Sequence, residues 1–325
     1  MRSRRIVLTL TAVAMAGALA ACGQAGSSGS GNGGGTASGK AGCAPVQGTD
    51  LVALTDDKKL QNSDNVIPAI NEKAASPALV AALDKVSAAL DSPTLIALNK
   101  QVDVERKTSQ AAATGFVADK KLTDGLQKGS GAIVVGAANF AESQTLGEIY
   151  AQVLKAAGFS TSVKTVGNRE AYLPALEKGE LQVVPEYAAT LTEFLSKGKA
   201  TPDIDKTVAA LTPLGKAKGL AFGKPAAATD QNAFAVTTAF AQKNGVKTLS
   251  DFAAKCSGQA TILGGPPECK ERPFCAPGLQ KTYKLSYGSF TTLDSAGPLS
   301  KQALKAGKVS IALVLSSDGS LTTTS

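Results

Sequence analysis

The side chains that could do chemistry follow predicted strands. Asn139, Arg169 and Tyr187 each come directly after, or a few residues after, a short segment typical of a buried strand. In an open α/β sheet, ligands bind beyond the carboxyl ends of the strands, so these three side chains are expected to meet at one edge. An amide, a guanidinium and a phenol together offer donors and acceptors to a polar or charged solute. The sequence therefore predicts a binding site there.

The composition argues against catalysis. The 325 residues include no His, which excludes His-dependent triads and the usual zinc hydrolase sites. The Gly-rich segment 264–267 is a turn rather than a phosphate loop, because no Lys-Ser or Lys-Thr follows it at P-loop spacing. We predict a protein that is not an enzyme and uses no cofactor or metal. The competing class is an enzyme that acts through Ser or Asp at strand ends, although no base–nucleophile pair is recognisable.

The elements that must position these residues alternate between strand and helix. Strands are predicted at 51–54, 133–135, 162–166, 181–184, 234–236, 261–263 and 309–315. Helices are predicted at 76–90, 92–98, 109–119, 139–158, 169–178, 249–255 and 298–306. Ser76 and Ser92 precede prolines as helix N-caps, and Asn139 with Glu142 resembles a capping box. The alternation predicts two α/β lobes with a solute cleft between them.

The N-terminus indicates export and lipid anchoring. Three arginines precede an apolar stretch that ends in Leu19-Ala-Ala-Cys22, the form of a lipobox. We predict a signal peptide at 1–21, a lipidated Cys22, and a Gly/Ser-rich tether that completes the segment 22–48. The protein would then be lipid-anchored at the outer face of the cytoplasmic membrane. The alternative is a signal peptide without lipidation.

Four further cysteines predict two disulfides, because exported proteins commonly oxidise an even number of thiols. Cys269 and Cys275 flank a short Pro-containing turn and are paired first, which leaves Cys43 with Cys256. Four free thiols are the alternative. The net charge of +8 suits a protein near anionic lipid, and no basic stripe interleaved with aromatic residues predicts a nucleic-acid partner.

Four short motifs resemble the glycine betaine/choline/carnitine-binding proteins of ABC importers, in that family's order. They lie at 135–143, 176–190, 264–273 and 303–319. The resemblance implies a bilobal fold like that of type II periplasmic binding proteins, with two α/β lobes joined by a hinge. It also implies a monomer that captures an osmoprotectant-type solute and delivers it to permease and ATPase subunits.

The resemblance also assigns the candidate ligand residues. Tyr187 matches a tyrosine that helps to cage a trimethylammonium group, Thr190 matches a nearby hydroxyl, and Arg272 matches a carboxylate-binding arginine. Asn232, Leu315 and Asp64 stand where the family often has tyrosines, so the cage is incomplete. The candidate set adds polar residues of the predicted cleft, and Phe140 could line it. The full set is Tyr187, Thr190, Arg272, Asn139, Arg169, Asn232, Asp230 and Asp64.

Each assignment has a plainer alternative. Tyr187 could only pack beneath its strand end, and Arg272 could pair with Glu268 or Glu271. Arg169 either clamps an anion or is solvated. The solute itself is a quaternary ammonium compound, a polar zwitterion or another small osmolyte. A third functional class is a surface lipoprotein that senses a ligand without a transporter.

One departure from the family suggests a circular permutation. Segments like 51–57 and 65–69 follow the Asp-Gly motif in the family, whereas here they precede the first strand and the chain stops shortly after 318–319. We therefore predict a permuted family C-terminal block at 49–131 in lobe 1, the rest of lobe 1 at 132–228, and lobe 2 with a return strand at 229–325. Neighbouring chain termini make such a rearrangement tolerable.

Overall fold

The computed structural model describes residues 41–321. The predicted signal peptide, Cys22 and most of the predicted tether lie outside the described residues. The strands are β1 (Leu51–Leu54), β2 (Val66–Asn71), β3 (Ala132–Ala137), β4 (Ser160–Thr165), β5 (Val183–Tyr187), β6 (Leu220–Phe222), β7 (Asn232–Thr237), β8 (Gly258–Gly265), β9 (Tyr287–Thr292) and β10 (Ile311–Leu315). No described helix is long and apolar enough to cross a membrane.

The helices fall between these strands. They are α1 (Pro77–Ala89), α2 (Ser92–Asp103), α3 (Ser109–Asp119), α4 (Ala141–Ala156), α5 (Arg169–Lys178), α6 (Ala188–Leu195), α7 (Ile204–Lys216), α8 (Thr238–Asn244), α9 (Leu249–Cys256), α10 (Ala276–Tyr283) and α11 (Pro298–Lys305). Short 3-10 helices span Glu72–Ala74 and Pro267–Lys270. Sequence patterns located most of the longer helices.

Two five-stranded sheets define two α/β lobes, as predicted. Lobe 1 has the strand order β4-β3-β5-β2-β6, and lobe 2 has the order β1-β7-β10-β8-β9. In lobe 1, β3 is parallel to β4 and β5, so their carboxyl ends share one edge. Helices α1, α2 and α3 pack against α4 and bury one apolar cluster, which makes the N-terminal helical block part of lobe 1.

Three segments connect the lobes. Residues 55–65 lead from β1 in lobe 2 to β2 in lobe 1, and residues 223–231 lead back from β6 to β7. These two crossover segments are adjacent, because Asn65 and Thr229 form an antiparallel bridge. After β10, the chain reaches lobe 1 again, where the Asn99 side chain donates to the Ser317 carbonyl at 3.1 Å.

The domain boundaries differ from the predicted ones at the front of the chain. β1 pairs with β7 and therefore belongs to lobe 2, although the segment 49–131 was assigned to lobe 1. Residues 41–48, assigned to the tether, are held against lobe 2 by the Cys43–Cys256 disulfide and by a hydrogen bond from Gly48 N–H to the Lys305 carbonyl at 3.1 Å. Backbone pairing overrides the Gly-rich composition there.

Both predicted disulfides are present, Cys43–Cys256 and Cys269–Cys275. The first closes a sequence separation of 213 residues and ties the start of the described chain to lobe 2. The second closes a separation of 6 residues beside the cleft.

Three local predictions are wrong. Asn139 does not cap α4: the N-cap position is Phe140 and makes no side-chain cap, while the Ser143 hydroxyl accepts from Ala138 N–H at 2.8 Å. The side chain of Asp91, rather than of Ser92, caps α2. β5 continues through Tyr187 instead of ending at 184, because Pro185 faces Pro68 of β2 and no backbone N–H is lost from the ladder there.

The permutation predicted that Leu51 lies near the end of the last strand. Leu51 shares an apolar cluster with Val309, Ala312 and Val314 of the β10 region, and Leu321 packs against the same cluster. The two ends of the described fold therefore contact one hydrophobic cluster, a placement compatible with a joined ancestral order.

Candidate functional site

A cavity of about 90 Å³ lies between the lobes at the shared edge of the lobe 1 strands. It is several times the ~10–15 Å³ that one water needs, which is the right scale for a small solute. All eight candidate ligand residues line it. They are Asp64, Asn139, Arg169, Tyr187, Thr190, Asp230, Asn232 and Arg272. Phe140 and Leu315 line it as well, and Tyr172, Glu268 and Leu313 are lining residues that the sequence analysis did not assign.

Arg169 is the centre of a buried, charge-balanced cluster on the lobe 1 wall. Its Nε and Nη2 bind the two carboxylate oxygens of Glu186 at 2.9 and 2.7 Å, and Nη2 also donates to the Thr190 hydroxyl at 2.8 Å. The Tyr172 hydroxyl donates to Glu186 at 2.7 Å. Burial by itself lowers the pKa of Arg169, but the Glu186 charge outweighs it and the pKa is raised. Arg169 is therefore neither solvated nor a free anion clamp.

Tyr187 presents a ring to the cavity and its hydroxyl to the protein. Its ring stacks on Phe140 with centroids 6.3 Å apart, so two aromatic faces lie side by side at the site. Its hydroxyl donates to Glu142 at 2.6 Å. The second Glu142 oxygen accepts from Ser317 at 2.6 Å and from Asn99. Glu142 thus joins lobe 1 to the segment after β10, instead of forming the predicted capping box.

Two carboxylates stand on the crossover segments at the floor of the cavity. Asp64 is 3% exposed and accepts from Thr190 N–H at 2.9 Å. Asp230 is 4% exposed and accepts from Ser317 N–H at 3.2 Å. Asp230 N–H donates to the Asp64 carbonyl at 3.0 Å, so the two residues are held next to each other by the backbone.

Burial weakens the acidity of this floor. It raises the pKa of Asp64 to about 7, against the opposing effects of the Thr190 N–H and the Arg169 charge. Burial, followed by the charge of Glu142, raises the pKa of Asp230 well above its usual range. Burial also raises the pKa of Glu142. Near pH 7 the Asp64 carboxyl is therefore about half-protonated when no solute is bound.

Arg272 crosses the cavity mouth. It belongs to the loop after the second 3-10 helix of lobe 2, and its Nη2 lies 2.9 Å from Glu170 on α5 of lobe 1. Glu268 is a weaker partner at 3.8 Å, whereas no ion pair joins Arg272 to Glu271 among the described residues. Arg272 is 30% exposed and already paired, so it is a bridge between lobes as well as a lining residue.

The remaining candidates are amides. The Asn232 Nδ2 donates to the Phe274 carbonyl at 3.1 Å, which leaves its oxygen and its second N–H available to a solute. Asn139 makes no side-chain hydrogen bond within the described residues, although its backbone N–H donates to the Gly167 carbonyl at 3.0 Å. No group of three or more His, Cys, Asp or Glu side chains between residues 41 and 321 could hold a metal ion.

The sequence predicts most of the polar lining residues but not their partners. Glu142 is predicted only as part of a capping box, and no role is predicted for Glu186 or Glu170. The available signal was a glutamate inside a buried apolar strand, which requires a cationic partner.

Comparison with known proteins assigns the family. The model of the substrate binding domain of the ABC-type glycine betaine transport system matches residues 44–119 and 131–324. The chain belongs to this family. Its members bind solutes for ABC transporters outside the cytoplasm and are not enzymes, and the two lobes have the type II periplasmic-binding-protein fold. Small-molecule ligands and permease subunits are the partners of such proteins.

Individual relatives add little to the family assignment. A solved structure of a glycine betaine/carnitine/choline ABC transporter is 20% identical, covering 58% of this chain and 69% of that chain, with a TM-score of 0.38. That superposition is too weak to transfer a site. No curated protein matches the chain.

Proposed function

We propose that this binding protein captures an osmoprotectant-type small solute between its two lobes and delivers it to an ABC permease and its ATPase. The observation that carries the proposal is the cavity itself, which residues of both lobes line, among them Tyr187, Thr190 and Arg272 of the motifs that resemble the family's. Arg272 and Glu170 link the lobes at its mouth, as expected for a site that closes around a solute.

The test is calorimetric titration of the full-length chain with glycine betaine, choline, carnitine, proline betaine, proline and small sugars. We expect saturable binding of at least one ammonium compound, weakened ~10-fold or more by Tyr187→Ala. Tyr187→Phe is the matched control, because it keeps the ring face that attracts a cation. Absence of binding to every ammonium compound would contradict the proposed solute class.

We also propose that Cys22 carries a lipid and tethers a monomer to the outer face of the membrane. The lipobox-like sequence supports this anchor, and residue 22 lies outside the described part of the chain. Metabolic labelling with a fatty acid should mark the wild-type chain and spare Cys22→Ser. Labelling of that variant would place the lipid elsewhere.

We propose further that the domain order is circularly permuted. The shared apolar cluster of Leu51 and Leu321 supports this order. A rearranged chain that joins residue 321 to residue 49 by a short linker, with new termini at 128–131, should fold and bind solute with unchanged affinity. A variant opened inside α4 is the control and should not fold. An unfolded rearranged chain would argue against a permuted origin.

A further inference from the structure

The floor of the cavity has two buried carboxyl groups and, within the part of the chain that is described, no cationic side chain paired with them. Among the residues that the structure describes, six charged residues are buried apart from the Lys301–Asp318 ion pair, and they are Asp64, Glu142, Arg169, Glu186, Glu193 and Asp230. Arg169 is the one cation in this set and is committed to Glu186. Glu193 is satisfied by two backbone N–H groups at 2.7 Å. The buried carboxyls without a cation in this set are therefore Asp64, Glu142 and Asp230, and Asp64 and Asp230 line the cavity.

Asp64 is the carboxylate best placed to receive a donor from a solute. Its Oδ1 accepts from Thr190 N–H, and within residues 41–321 its carboxylate forms no ion pair. Asp230 shares a hydrogen bond with Glu142 and lines the cavity beside Asp64. A buried carboxylate without a cation is unfavourable by several kcal/mol, so the floor is suited to a ligand that brings both positive charge and hydrogen-bond donors.

The cavity also has aromatic rings that could contact a cation, but rings do not supply the hydrogen-bond donors that Asp64 and Asp230 can accept. Within the described chain, the aromatic rings at the cavity belong to Phe140, Tyr172 and Tyr187, and the Tyr172 hydroxyl is directed to Glu186. The floor itself is polar and has no ring. A quaternary ammonium group has no N–H, so it could contact the ring faces but would bring no donor to Asp64 or Asp230.

We propose that this cleft binds a small net-positive amine that retains N–H groups, whose ammonium donates to Asp64 and Asp230. The inference rests on the proposed function, since it takes this cavity as the solute site. It narrows the class of solute. The ligand is a protonated primary or secondary amine, with N–H groups in place of N-methyl groups and without a carboxylate. Arg272, which is paired with two glutamates, is then not required to bind an anion.

Binding such a cation removes protons from the floor. Around Asp64 the charged groups are Arg169 on α5, Glu186 on β5 and Asp230 on the second crossover segment, and Glu142 on α4 faces Asp230. Because the pKa of Asp64 is about 7 before a solute binds, its ionised fraction rises from about one-tenth at pH 6 to about nine-tenths at pH 8. Amine affinity should therefore rise about tenfold over that interval, while the amine itself stays protonated.

Two matched pairs of probes test the proposal in titrations of the full-length chain. Ethanolamine and choline have the same charge and hydroxyl and differ only in N–H against N–CH₃. Glycine and glycine betaine differ in the same way but are zwitterions. We expect ethanolamine to bind tightest, at least tenfold tighter than choline and than glycine, with proton uptake by the buffer below pH 7.

The outcomes separate the two levels of inference. Tightest binding of choline or glycine betaine would overturn the amine proposal and leave the proposed function intact. Tightest binding of glycine would contradict the proposed net positive charge of the ligand. If none of the four binds, the amine proposal fails, and the proposed function fails as well only if the other ammonium compounds of its panel also do not bind. Asp64→Asn, which keeps the acceptor for Thr190, should lower ethanolamine affinity at least tenfold and flatten its pH dependence. Asp205→Asn, at an exposed carboxylate on α7, is the control and should change neither.

Discussion

Two buried polar clusters share this cleft, and they differ in how completely they are satisfied. On the lobe 1 wall, Arg169 and Glu186 form a bidentate ion pair that Tyr172 and Thr190 complete with hydrogen bonds. On the floor, Asp64 and Asp230 are buried, and neither forms an ion pair with a cationic side chain of the described residues. A satisfied cluster fixes the geometry of the site, whereas an unsatisfied one is available to a ligand. The wall cluster therefore has a structural role, and the floor carboxyls are the groups that can recognise a ligand.

The largest expected effect comes from breaking the wall. Arg169→Met should destabilise the protein by about 3–5 kcal/mol, because Glu186 would be left buried without its cation. The measurement is the free energy of unfolding in urea. Arg272→Met, at the more exposed ion pair, is the matched control and should change it by less than about 1 kcal/mol. Equal losses of unfolding free energy in the two variants would contradict the claim that the wall ion pair stabilises the fold more than the ion pair at the mouth.

The next prediction concerns the floor, where a substitution should stabilise the protein instead of destabilising it. A carboxyl whose pKa is raised on folding favours the native state below its unfolded pKa and loses that advantage as pH rises to the folded value. For Asp64 the window runs from about pH 4 to about pH 7, and the full difference is roughly 4 kcal/mol. Asp64→Asn should therefore be more stable than wild type at pH 8 and equal to it near pH 4. Urea unfolding across that range is the measurement, and lower stability of the variant at pH 8 would contradict an unbalanced floor.

A smaller effect concerns the mouth that joins wall and floor. Glu170→Gln removes the main partner of Arg272 across the lobes. Unfolding free energy should change by less than about 1 kcal/mol, and solute affinity should fall up to about fivefold because closure loses one half-exposed ion pair. Added salt should weaken wild-type binding more than variant binding. Glu180→Gln, at an exposed glutamate after the same helix, should leave affinity unchanged.

The lining of the site could be predicted from the sequence because it depends on strand ends. Asn139, Arg169 and Tyr187 meet at one edge for a topological reason that needs no tertiary detail. Their partners could not be predicted this way. The ion pair across the lobes has no local signal, because Arg272 and Glu170 are separated by 102 positions and meet only when the lobes do.

Strand assignment failed where local patterns were weak. β2 is buried along its whole length, so it shows no alternation, and Pro68 argues against a central strand. β6 has three residues, too few for periodicity to register. Both strands complete the lobe 1 sheet through long-range antiparallel pairing, which the local sequence does not encode.

The last comparison, between Ser143 and Asn139, distinguishes a structural residue of the helix start from a ligand group. Ser143→Ala should destabilise the protein by about 1–2 kcal/mol, because the Ala138 N–H would lose its buried acceptor. Asn139→Ala should change the unfolding free energy by less than about 0.5 kcal/mol, since its side chain makes no hydrogen bond within residues 41–321. Titration of the same variant then isolates its role at the cavity: a loss of solute affinity with unchanged stability makes Asn139 a ligand group. A loss of stability comparable to that of Ser143→Ala would instead restore it as a structural residue of the helix start, and the cavity would keep its recognition on the floor alone.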